Sequence, residues 1–414
     1  MAGVRKNILY MLLVQAVIYL APLLVLPYLT RTLGRETYGS FGYMQAIVQY
    51  FVLITDYGFS ITATRLVAIH QDQPTRLSSV VVNTLAVKLL LAMLTGLLSL
   101  GLCLLFPSIG QHADILFACF VGVLGNALFP TWLFQGMEKM GILSTITCLS
   151  RLLPLPFFFL WVRHSGDVVT AAILQNIPGI LAAGFSFAYV WRRKLLVPVS
   201  ISLSSIFSLL KDGWAVFLSN ISTSFYTTIN GILIGVFAGK EQAAFFYATD
   251  KIRIAAQGLI QPVASVIFPR VVILHERLEQ GALRTLMQQG AALLVGIQFI
   301  GGLIMFFGAD LIATRYLGAG FAPAALYLRA LAFLPTIIAI ATVLAQWRYQ
   351  AFGHSSILSK IYLVAGPLHA VYATWLTYSY HTDGLIVSLY LTETAITLAM
   401  IAILKRRGMR LWSE

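Results

Sequence analysis

Nine ionisable side chains fall inside long apolar runs of this chain: Asp56, Lys88, Arg151, Asp250, Lys251, Arg253, Arg329, Lys360 and Glu393. At the centre of a membrane helix such a group costs ~2.5–3.5 kcal/mol. The set is therefore expected to line a wet cavity or to pair within it. Six are cations and three are acids, which leaves a net charge of +3. That sign suits an anion, above all a phosphate or diphosphate, which Arg and Lys grip through charge-assisted hydrogen bonds. Arg151, Lys360, Arg253, Arg329 and Lys88 are the candidate cations, and Asp56, Asp250 and Glu393 the candidate proton-exchanging carboxylates.

Helical spacing gathers these groups into stripes. Gln45, Gln49 and Asp56 stand at i, i+4 and i+11; Asp250, Arg253, Gln257 and Gln261 stand at i, i+3, i+7 and i+11. Asn220, Thr223, Thr227 and Asn230 form a further polar side. Gln45, Gln49, Asn220, Thr223, Thr227, Asn230 and Gln257 are read as hydrogen-bonding surface for a polyhydroxylated ligand such as a sugar. Lys251 points about 100° away from Asp250 and is expected to snorkel.

The elements that carry these residues follow from composition. The chain has 414 residues, of which 59% are hydrophobic and 10% charged, with mean hydropathy +0.84. A soluble surface needs roughly 25% charged residues. The chain is therefore an integral membrane protein, which excludes a cytosolic enzyme, a disulfide scaffold, a disordered chain and a nucleic-acid binder. Runs of ~20 apolar residues predict twelve transmembrane helices at about 7–29, 39–62, 78–106, 113–136, 142–162, 168–191, 213–237, 243–269, 286–309, 321–345, 356–378 and 383–404. The first is too long for the apolar region of a cleavable leader and is expected to be retained. With both termini in the cytoplasm, seventeen loop Lys and Arg lie inside and five (Arg31, Arg35, Arg163, Lys240 and Arg315) outside. This asymmetry accounts for most of the net charge of +13 without a nucleic-acid partner.

The two halves repeat. A shift of 205 residues lays Gly34-Arg35-Glu36 on Gly239-Lys240-Glu241, Phe41 on Phe246, Gln45 on Asp250 and Arg65 on Arg270. A shift of 209 lays Arg151 on Lys360. Six spans per half is an even number, so the pseudo-two-fold axis should run along the membrane normal. The expected domains are an N-lobe (1–191, helices 1–6), a cytoplasmic interfacial linker (192–212), a C-lobe (213–404, helices 7–12) and a basic tail (405–414). Paired bundles of this kind predict a central cavity and alternating access. Pro22, Pro27 and Pro262 are candidate hinges.

Several motifs carry a resemblance to a known family: Arg31-Thr32-Leu33-Gly34, Asp56-Tyr57-Gly58-Phe59, the tract Pro130 to Met140, Asp250-Lys251-Ile252-Arg253, Phe268-Pro269-Arg270, and Leu328-Arg329 with Pro335. The chain resembles the polysaccharide transporters of the MOP (multidrug/oligosaccharidyl-lipid/polysaccharide) superfamily, and within it the Wzx-type O-antigen flippases of Gram-negative bacteria. The resemblance implies a MATE-like fold in the inner membrane. It also implies a flippase that moves undecaprenyl-diphosphate-linked O-antigen repeat units from the cytoplasmic to the periplasmic leaflet. It further implies coupling to an ion, with a proton the expected one, and contact with membrane lipids and other O-antigen assembly proteins.

The rivals are a multidrug antiporter or lipid II flippase of the same superfamily, and a membrane polymerase or ligase of lipid-linked sugars. An antiporter of cationic drugs would want an acidic cavity, and lipid II flippases usually carry extra helices. A polymerase would carry a sizeable outer loop, whereas the expected outer loops reach about a dozen residues at most. His70, His112, His164, His275, His354, His369 and His381 are scattered, and Cys103, Cys119 and Cys148 have no ligand spacing. No enzyme activity, cofactor or metal is expected.

Overall fold

The protein is described from a computed structural model covering residues 2–258, 260–409 and 411–412, with side chains from residue 15 onward except that of Pro262. Arg5, Lys6 and Arg410, counted above among the inner cations, and the hinge candidate Pro262 thus have side chains outside the described set. Among the described residues every regular element is helical. Lipid offers no partner to an open backbone group, and a helix satisfies its own.

Nine helical stretches among the described residues are long and apolar enough to cross a membrane. The chain is a multi-pass membrane protein. Two long helices carry a non-helical residue inside them. The 55-residue helix Ala2–Asp56 is interrupted at Gly34 (φ 72°), and Ser355–Arg406 at His381 (φ 51°). Each break falls between two expected spans. The expected span 213–237 lies in helices Leu203–Thr227 and Ile229–Phe237, which are not among the nine. The surface is turned inside out relative to a soluble protein, with Leu104, Trp191, Phe307 and Leu105 each more than 70% exposed. Such side chains are stable only against acyl chains.

The chain divides into two compact units, residues 1–21 with 40–221, and 22–39 with 222–414. In the first unit, helix Phe59–His70 packs on the short helix Thr131–Gly136 around the buried Trp132. A Cβ on Gly136 would lie 2.6 Å from the Thr64 carbonyl oxygen, so only glycine permits this approach. After it the backbone turns at Glu138 (φ 55°), and Lys139 lies 5.8 Å from the Tyr189 ring centroid. The tract from Trp132 to Met140 is thus a helix end and its turn. Residues 195–202 run without regular structure, and Ser78 and Asn83 of helix Pro74–Leu105 accept the backbone N–H groups of Val197 and Ser202 at 2.8 Å each.

In the second unit, Gly39 and Gly366 bring backbones together. A Cβ at either would lie 2.0 Å from a carbonyl oxygen, of Lys240 and Ser222 respectively. The internal repeat has a local counterpart. Gly34 and Gly239, 205 residues apart, both take left-handed φ (72° and 82°) just before a helical segment.

Candidate functional site

Most intramembrane charges are paired, and the pairing follows from the helices that carry them. Helix Ala2–Asp56 ends at Tyr57 and Gly58, both with positive φ (47° and 85°). Gly58 is required twice over, because a Cβ there would also lie 2.6 Å from Val216. Tyr57 stacks on Phe217, with centroids 4.5 Å apart. This corner holds the Asp56 carboxylate 3.7 Å from the Lys88 ammonium, and Ser60 donates a 3.1 Å hydrogen bond to its other oxygen. Lys88 is 2% exposed. Asp56 neutralises it, the pairing within the set that is one of the two arrangements expected of these charges.

Arg329 is paired as well. Its guanidinium pairs with Asp310, 19 residues earlier, and both side chains are well exposed. Arg253 sits in the stripe that the spacing predicts. Its Nε donates to Asp250 Oδ1 at 2.7 Å and its Nη1 donates to Gln257 Oε1 at 2.8 Å. The i, i+3, i+7 pattern is therefore one hydrogen-bonded ladder along helix Lys240–Gly258. Lys251 lies off this ladder, over the Tyr38 ring at 5.4 Å.

Arg151 is different. It occupies the last turn of helix Met140–Leu152, which stops inside the expected fifth span before Pro154. Among the described residues no carboxylate lies within ion-pair distance of it. The open carbonyls of the helix end offset part of its charge. Lys360 is exposed on helix Ser355–Arg406, beside an apolar groove.

The polar stripes separate into two kinds. Gln45 exchanges two hydrogen bonds with Asn176, at 3.0 and 3.2 Å, and so ties helices together rather than presenting its amide. Asn230 is buried and engaged in the same way. Its Nδ2 donates to the Tyr226 carbonyl at 2.8 Å, and its Oδ1 lies 2.9 Å from His369 Nε2. Gln49 and Thr227 are exposed, with Thr227 also donating to the Thr223 carbonyl at 3.1 Å; Asn220 and Thr223 are half-buried.

His369 is the residue the sequence pattern did not single out. It is fully buried, and its Nδ1 contacts Thr392 Oγ1, which also meets the Tyr372 hydroxyl. Because Asn230 Oδ1 accepts from Nε2–H, Nδ1 of neutral His369 accepts from the Thr392 hydroxyl. That one hydroxyl proton has a second acceptor, the Ser388 carbonyl at 2.7 Å. The signal was present: a histidine in the middle of an expected span, three residues before Tyr372. Next to this chain stands half-buried Glu393, within electrostatic reach of Arg253, Tyr226, Tyr362 and Tyr372 and in no ion pair among the described residues. Arg348 is buried in the helical turn Val343–Gln350, 4.2 Å from the Phe352 centroid.

Residues 4–275 match the family model described as polysaccharide biosynthesis protein. A protein described as an O-antigen transporter from Shigella dysenteriae is 35% identical over 97% of this chain and 100% of its own length. The chain belongs to the polysaccharide biosynthesis protein family. A second family member, described as an O-antigen transporter of Escherichia coli K12, is 31% identical over 96% of each chain. The fold is that of MOP-superfamily transporters. An inward-facing MATE multidrug transporter aligns with TM-score 0.74 over 95% of this chain and 94% of its own, at 15% identity. The lipid II flippase MurJ aligns with TM-score 0.75 over 95% and 87%, at 12% identity. Of the candidate groups, Arg151, Lys360 and Glu393 stand in no ion pair among the described residues.

Proposed function

We propose that the chain is a flippase for lipid-linked polysaccharide. It is a transporter and not an enzyme, and it carries undecaprenyl-diphosphate-linked O-antigen repeat units from the cytoplasmic to the periplasmic leaflet of the bacterial inner membrane. The observation that carries this reading is the match along essentially the whole chain to O-antigen transporters at 31–35% identity. The MurJ-like fold supports a lipid-linked sugar, because that flippase also moves one.

In this reading Arg151 and Arg253 compensate the diphosphate, and Gln49, Asn220, Thr223 and Thr227 meet sugar hydroxyls. Alternating access moves the head group while the polyprenyl chain stays in the bilayer. With both termini cytoplasmic, a membrane potential positive outside favours outward passage of the anion by ~2.3 kcal/mol per charge per 100 mV. Glu393 exchanges the coupling proton, since Asp56 and Asp250 are held by Lys88 and Arg253.

The test is complementation of a strain lacking its O-unit flippase. The intact protein should restore surface O-antigen, and the Arg151→Gln/Arg253→Gln double variant should abolish it at equal membrane abundance. Failure of the intact, membrane-inserted protein to export any of a panel of repeat units would overturn the flippase reading. Full export by the double variant would overturn the charge assignment alone. Glu393→Gln should remove any response of reconstituted transport to a pH gradient.

A further inference from the structure

The last two expected spans form a hairpin. Tyr372 on one arm reaches Thr392 on the other, the chain reverses at His381, and Gly384 packs on the Leu376 carbonyl. Between the arms runs a groove of about 620 Å³, walled by Ile361, Val364, Leu368, Ala395 and Ala399 and closed at its far end by Tyr372 and Thr392. At the open end of the hairpin the lining gains three cations, Lys360, Arg406 and Arg407, beside Ile357 and Ile403. All three are exposed, and among the described residues no carboxylate pairs with any of them.

We propose that this groove is a binding site for an anionic phospholipid, with the phosphate on the three cations and one acyl chain between the arms. Charge complementarity gives the head group. Three uncompensated cations at the end of a membrane hairpin form a site for a lipid phosphate, and the long stems of Lys360 and Arg406 can lie along the apolar wall while their heads reach the interface. Length gives the chain. From Ile361 to Tyr372 helix rise spans about 16 Å, close to one leaflet's share of a hydrocarbon core about 30 Å thick. A single leaflet's acyl chain ends where the Tyr372–Thr392 contact closes the groove, whereas a polyprenyl carrier many times longer than one isoprene would overrun it. The site concerns the lipid that surrounds the protein and does not rest on the transport reading.

The experiment is native mass spectrometry of the full-length protein released from nanodiscs that contain equal amounts of phosphatidylglycerol and phosphatidylethanolamine. The intact protein should retain phosphatidylglycerol at least tenfold over phosphatidylethanolamine. The Lys360→Gln/Arg406→Gln/Arg407→Gln variant should lose that preference. Ala399→Trp, which fills the groove and leaves the cations, should lose retention of either lipid. Equal retention by the intact protein, or an undiminished preference in the triple variant, would overturn the proposal. A third arm adds undecaprenyl phosphate. If it displaces phosphatidylglycerol mole for mole and its own retention falls in Ala399→Trp, the groove belongs to the carrier lipid and the phospholipid assignment is wrong.

Discussion

The Lys88–Asp56 pair offers the sharpest test of how this protein tolerates charge inside its helices. Lys88 is 2% exposed and its Nζ lies 3.7 Å from Asp56 Oδ1, while the Asp56 side chain is 27% exposed. At that separation and an effective dielectric of ~20 the attraction is about 4–5 kcal/mol, and removing one partner of a buried pair costs ~3–5 kcal/mol. The partial exposure of Asp56 places this site toward the lower end. Asp56→Asn should therefore cost about 3 kcal/mol, because it leaves the ammonium without a counter-charge. Lys88→Met should cost less, because water and the Ser60 hydroxyl still reach the carboxylate. The double variant should recover most of the loss, since a pair replaced by neutral groups of similar size is often tolerated. The assay is the fraction folded after heating in detergent, read by size-exclusion chromatography for all four proteins of the cycle. Stability of Asp56→Asn equal to that of the intact protein, or single effects that simply add in the double, would refute the claim that the pair is what makes Lys88 admissible.

Gly366→Ala should lower the yield of folded protein sharply. Its Cβ would stand 2.0 Å from the Ser222 carbonyl, and such overpacking costs ~1–3 kcal/mol or more; Gly184→Ala, with nothing within 4 Å, should be silent in the same chromatographic assay. Gln45→Leu should destabilise by about 1 kcal/mol by stranding the Asn176 amide and leave the choice of sugar in a complementation panel unchanged. A change in that choice would show that Gln45 touches cargo. Asp167, in the exposed turn Ser165–Asp167 just before the expected span 168–191, has its carboxyl held below the usual carboxylate range by the backbone N–H groups of Arg163 and His164. The stability it adds is present above the ordinary carboxylate pKa and is lost as pH falls through the depressed value. Hydrogen exchange of a peptide covering 160–168 should thus be faster in Asp167→Asn at pH 7, and the difference should vanish in acid once intrinsic rates are removed.

The positions of the helices were legible because a long apolar run has one stable form in lipid. The breaks at Gly34 and His381 fall where those runs are interrupted. The Asp250–Arg253–Gln257 ladder was legible for a similar reason: its spacing alone brings the three groups onto one face, and they then bond to each other. What spacing cannot give is the neighbour across the helix–helix gap. Gln45 and Asp56 share a stripe, yet one meets Asn176 and the other Lys88, each on a different helix. For Lys88 and Arg329, therefore, the spacing does not name the acids, 32 and 19 residues earlier, that the fold brings beside them.

The same reasoning shows why the surplus of cations over acids overstates the charge available to cargo. Once Lys88, Arg253 and Arg329 are matched with Asp56, Asp250 and Asp310, and Lys251 is placed over the Tyr38 ring, Lys360 stands near a helix start beside the proposed phospholipid groove and Arg151 is left inside its span. In the proposed reading Arg151, a guanidinium at a helix end with no acid beside it among the described residues, carries the largest part of the charge compensation. That makes Arg151 the position where a change to lysine, which keeps charge but loses the planar fork, should reduce export severalfold in the complementation assay while membrane abundance is unchanged. Unaltered export by Arg151→Lys would mean that charge alone suffices, and export undiminished in Arg151→Gln would mean that the anion is held elsewhere.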